Sequence, residues 1–119
     1  MTKTLILVVD RDDDFGEKGG VETPVIGIEA AKVAAMSLGV EDPEDSDVNA
    51  LFAAMNIYND LIKDNDDVEI ALICGDKKVG HRSDSMLISE LETVIDIVKP
   101  EHAILVGDGA EDEYIYPII

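Results

Sequence analysis

The sequence predicts an α/β fold, a small three-layer sandwich in which helices cover both faces of a mainly parallel sheet of three or four strands. Three observations carry that prediction. Apolar runs rich in β-branched residues at 4–9, 68–74 and 102–107 alternate with segments of helical periodicity, in the order strand, helix, helix, strand, helix, strand. The runs are continuous rather than alternating in polarity, the pattern of strands covered on both faces. Each leads straight into a turn bearing an aspartate, Asp10, Asp76 or Asp108. Right-handed crossovers make such a sheet Rossmann-like. A strand order of 2-1-3, with residues 4–9 central, lets both later strands flank the acid-bearing first one.

Each element follows from its local pattern. Residues 11–24 place four acids ahead of Gly19 and Gly20 and then reach Pro24, which predicts a long loop. The alanine-rich stretch 27–38 predicts a closely packed helix closed by Gly39 as its C′ residue. Pro43 breaks the chain, and Asp45 or Ser46 is placed to cap the next helix. Val48, Leu51, Phe52, Met55, Tyr58 and Ile62 recur at helical spacing and predict an amphipathic helix ending near Lys63. After a polar turn, residues 68–74 form the second strand and 75–82 a loop. Leu87, Leu91, Val94, Ile95 and Val98 mark the core face of a third helix, which starts near Ser83 or Asp84 and is stopped by Pro100. Residues 102–107 are the third strand, and "DGAEDEYIYPII" begins a further turn that the chain does not complete.

At 119 residues the chain is expected to be one soluble domain spanning 1–119, long enough to bury a core. Apolar residues make up 46%, so the chain is globular although 30% of it is charged. With 27 acids against 9 Lys plus Arg, the formal net charge is -18, which repels nucleic acid and anionic membrane surfaces. The single cysteine, Cys74, excludes an internal disulfide, fits a reducing compartment and reads as a buried strand residue. No signal peptide or membrane span is readable.

In a parallel sheet the carboxyl ends of the strands share one edge, where sites form. Asp10, Asp12, Asp76, Asp108 and Asp112 are therefore expected to converge there as a carboxylate cluster for a divalent cation. The spacing of Asp10, Asp12 and Asp14 imitates the start of an EF-hand, but Phe15 stands at the glycine position and Val21 at the bidentate glutamate position, so an EF-hand is rejected. Hard oxygen donors favour Mg²⁺ or Mn²⁺, and one cysteine with two histidines supplies no credible zinc set. Lys77, Lys78 and Arg82 gather beside Gly75, Gly80 and a helix N-terminus, a seat for a phosphate or carboxylate. The blander reading of these cations is that they neutralise the acidic loops next to them. Neither a Walker A pattern nor G-x-G-x-x-G is present.

Two resemblances follow from these motifs. The combination of "LVVDRDDD", "DPEDSDVNALFAA", "GDKKVG" and "VGDGAEDEYIYPII" resembles the amino-terminal region of an archaeal family of uncharacterised membrane proteins, domain-of-unknown-function family 373, over nearly the whole chain. That resemblance implies a cytoplasmic domain followed in the full protein by membrane spans absent here. It carries over no catalytic residue. A weaker likeness is to haloacid-dehalogenase-like phosphatases, which would make Asp10 the nucleophile, Asp12 the acid/base and Asp108 and Asp112 the Mg²⁺ ligands. The expected threonine four residues after the nucleophile is Asp14, and the second strand ends in Cys74 and Gly75 rather than Ser or Thr.

The function expected from the sequence is a non-catalytic cytoplasmic ligand-binding or sensor domain that holds Mg²⁺ or Mn²⁺ at the strand ends, with a small phosphate-bearing ligand as a further partner. The alternatives are a Mg-dependent haloacid-dehalogenase-like phosphohydrolase and a structural dimerisation module. A small sheet leaves two edges open, so a homo-oligomer is expected.

Overall fold

The first apolar run, Lys3–Asp10, forms β1 and lies in the middle of the sheet, where its continuous hydrophobicity is needed: Leu5, Ile6 and Val8 are fully buried. It is followed by α1 (Asp14–Glu17), β2 (Val25–Ile26), α2 (Ile28–Glu41), α3 (Ser46–Lys63), β3 (Asp67–Cys74), α4 (His81–Val98), β4 (His102–Val106) and β5 (Glu113–Pro117). The computed structural model describes residues 3–64, 66–78 and 80–107, together with the backbone of 113–117. β3 and β4 flank β1 and run parallel to it, with Asp10 level with Cys74 and Thr4 level with His102.

The sheet is larger and more mixed than expected. It has five strands in the order β2-β3-β1-β4-β5, because β2 and β5 add antiparallel edges that a three-stranded parallel sheet of order 2-1-3 lacks. Their backbone groups pair with the outer N–H and C=O rows that β3 and β4 would otherwise expose. β2 occupies the two residues left unassigned between the predicted loop of 11–24 and the helix predicted from 27, and β5 lies in the segment read as an uncompleted turn. The same predicted loop also contains the single turn of α1.

Strand alternation divides the interior into two cores. Ile6, Val8, Ile70, Leu72 and Cys74 pack under α2 and α3 with Leu38, Leu51 and Ala54, whereas Leu5, Leu7, Ala71 and Ile73 pack against Val94 and Val98 of α4. α2 does not stop at Gly39. A Cβ there would meet only Val48 Cγ1 at an ordinary 3.6 Å, and the helix runs on to Glu41, ending where Pro43 forces extended backbone on Asp42. α3 is capped by Asp45, whose side chain accepts from Asp47 N, but Phe52 and Ile62, assigned to its core face, are exposed. α4 starts at His81, slightly earlier than predicted, after Gly80 at φ 132°. No helix among the described residues is long and apolar enough to cross a membrane.

Candidate functional site

The alternation that sorts the core also aims the first acids. Asp10 follows Ile6 and Val8 on the face covered by α2 and α3, while Arg11 turns the other way and pairs with Asp84 of α4 at 3.1 Å. Asp10 is fully buried. Its Oδ2 accepts the backbone N–H of Phe15 at 2.8 Å and the thiol of Cys74 at 3.5 Å. Its Oδ1 is buried with no hydrogen-bond partner among the described residues. A carboxylate oxygen left in that state is costly, because it has lost its water without gaining a donor.

Other carboxylates gather around it. Asp10, Asp12, Asp14 and Asp47 each bring one oxygen into a group whose members all lie within 4.8 Å of one another. They arrive from three elements: the end of β1 and the turn after it, α1, and the first turn of α3. Asp13 makes this possible by taking up φ 61°, which Asp tolerates, and capping α1 through the N–H of Gly16, so that Asp14 heads the turn. On α3 the Asp45 cap fixes the turn that carries Asp47. A cavity of about 420 Å³ opens over the group, lined by Val9, Arg11, Ser46 and Gly107 as well as three of the acids.

The electrostatics follow from burial and crowding. Burial first, and the charge of Asp10 second, push the Asp47 carboxyl up to about 9. Burial and the neighbouring Asp45 and Asp12 push Asp14 up to about 6. Asp10 is itself raised by burial, against the bond from Phe15 N–H. Without a cation, then, the group relieves its repulsion by holding protons. Asp45 differs: burial raises it, but the bond from Asp47 N–H and the ammonium of Lys18 hold it below the usual range. Asp10, Asp13 and Cys74 form a second close set, yet burial and Asp10 drive the Cys74 thiol far upward. Cys74 is therefore a hydrogen-bond donor to Asp10 rather than a thiolate ligand.

The other predicted site residues separate. Asp76 stands outside both close sets, its Oδ1 accepting Lys78 N at 2.9 Å and its Oδ2 pairing with Arg82 Nε at 3.1 Å. Lys77 reaches toward Glu17 at 3.9 Å, and Lys78 is exposed. The side chains of Lys77 and Arg82 thus meet the acids Glu17 and Asp76, and Lys78 meets Asp76 only through its backbone N–H. Gly107 brings the end of β4 to the cavity, while Asp108 and Asp112 lie outside the described residues. Asp14 and Asp47 join the cluster although sequence reasoning did not select them. The available signal for Asp47 was its place two residues after the capping Asp45, at the start of a helix.

Over residues 3–119 the chain matches a family model described as Domain of unknown function (DUF373). It is 51% identical over 119 residues to an uncharacterised protein of Archaeoglobus fulgidus, covering all of this chain and 35% of that protein. An uncharacterised protein of Methanocaldococcus jannaschii is 44% identical over 112 residues, covering 93% of this chain and 31% of the relative. The chain therefore spans about a third of the length of the curated relatives it matches. No solved structure matches it.

Proposed function

We propose that this chain, which belongs to the DUF373 family, is a ligand-binding or sensor domain that takes up a divalent cation, Mg²⁺ or Mn²⁺, at Asp10, Asp12, Asp14 and Asp47. One observation carries the reading: the fully buried Asp10 has an oxygen without a donor, inside a group of carboxylates drawn close enough to share one ion. A cation would satisfy that oxygen and offset the mutual repulsion together. An all-oxygen donor set suits a hard ion and disfavours zinc. The phosphohydrolase alternative has less support, since the aspartate it would use as nucleophile is fully buried with Oδ2 taken by Phe15 N–H.

Calorimetric titration with Mg²⁺ and Mn²⁺ at constant ionic strength tests the proposal. The parent and Asp66→Asn, in an exposed turn, should bind one ion, and Asp10→Asn should not. Equal responses from all three would show that no ion is held at Asp10. Turnover of a simple phosphate ester, lost in Asp10→Asn, would favour the hydrolase instead.

A further inference from the structure

Lys18 follows α1 directly, its backbone N–H bonded to the carbonyl of Asp14. Its Nζ lies 2.9 Å from Asp42 Oδ2, 3.1 Å from Asp45 Oδ2 and 3.9 Å from Asp14 Oδ2. The Asp45 side chain is only 4% exposed and is used at both ends, since Oδ2 meets Lys18 while Oδ1 accepts Asp47 N at 2.8 Å. A continuous line of contacts therefore runs from α1, which carries Asp14, through Lys18 and Asp45 to the backbone of Asp47 on α3. We propose that Lys18 is the positioning residue of the carboxylate site, a strut that sets the spacing between the ligand-bearing turns of α1 and α3. This inference rests on the cation reading above. Lys18 would act through Asp45 and Asp14 without touching the ion.

A bare charge and a strut predict opposite signs. As a positive charge beside the acids, Lys18 would oppose a cation, and its removal would tighten binding, more so at low salt. As a strut it holds two ligands in register, and its removal would weaken binding at every salt concentration. The test is Mn²⁺ calorimetry on the parent, Lys18→Met, Lys18→Arg, Asp45→Asn and Asp42→Asn, at low and high salt, with each variant's fold checked by circular dichroism. Lys18→Met should lose about tenfold or more in affinity, the scale of a lost outer-shell partner, and Lys18→Arg should recover most of it. Asp45→Asn keeps an oxygen for the Asp47 cap but weakens the bond to Lys18; because it also removes a negative charge, the loss that counts is its excess over Asp42→Asn persisting at high salt, and that excess decides if Lys18→Met does not fold. Asp42→Asn removes the closest ion pair outside the line of contacts and should leave affinity unchanged. Tighter or unaltered binding in Lys18→Met and Asp45→Asn would overturn the inference, as would an equal loss in Asp42→Asn. A parent chain that binds no Mn²⁺ would overturn the cation reading itself.

Discussion

Asp10 places its two oxygens in opposite circumstances: Oδ2 accepts Phe15 N–H and the Cys74 thiol, and Oδ1 is buried without a hydrogen-bond partner among the described residues. In metal-free protein the crowding should appear as a pH dependence. Asp47 titrates near 9 and Asp14 near 6 in the folded chain, against 3.8 for an ordinary aspartate, so the folded state holds protons that the unfolded state has released. For a raised carboxyl the contribution to stability is complete below the unfolded pKa and is lost as pH rises through the folded one. Urea midpoints in chelator should therefore fall from about pH 5 to about pH 9, and saturating Mg²⁺ should remove the fall. A metal-free midpoint that climbs over that range would contradict the assignment. Asp47→Asn cannot ionise, so it should flatten the profile and raise the metal-free midpoint at alkaline pH while losing the response to Mg²⁺. The strand-end aspartates were legible because polarity changes abruptly after an apolar run. Asp47 was not, since only the packing of α3 against β1 brings its first turn to Asp10.

At the level of elements, the site depends on how closely the turns after β1 and β3 approach each other. Ser83, fully buried at the start of α4, accepts Asp76 N–H at 3.2 Å and donates to the carbonyl of Arg11, tying the two turns together. Gly75 leaves room for this, because a Cβ there would overlap both Ser83 Oγ and Arg11 O. Gly75→Ala should cost about 1–3 kcal/mol by overpacking, read from the urea midpoint, and a neutral effect would show that the turns are looser than described. Ser83→Ala takes the partner from the part-buried Asp76 N–H and Arg11 carbonyl and should cost about 0.5–1.5 kcal/mol. The long helices and the three parallel strands were readable because each repeats its period several times. β2 is two residues long and α1 a single turn, too short for any period, and both are held by tertiary contacts: Val25 pairs with Leu72, and Phe15 of α1 is buried in the core under α2 and α3.

For the whole molecule, a formal charge of -18 means that any salt relieves general repulsion, so a response to Mg²⁺ counts only at fixed ionic strength. An ion that binds the folded chain alone stabilises it by about 2.7 kcal/mol at a hundredfold excess over Kd. A domain of 119 residues falls between the size classes that shift by about 4–8 and about 2–4 °C per kcal/mol, so at about 4 °C per kcal/mol the melting shift is about 10 °C. The layered α/β class was legible from the alternation of strand and helix patterns, but the mixed sheet was not, because its outer strands are defined by the edges they cover. The proposed ion would sit between Asp10 Oδ1 and the carboxylates of Asp12, Asp14 and Asp47. Anomalous diffraction from crystals soaked in Mn²⁺ should show a single strong peak there, with all four carboxylates at metal–oxygen distances of about 2.0–2.6 Å. A map with no peak there, and Asp10 and Asp47 in contact across a shared proton, would contradict it.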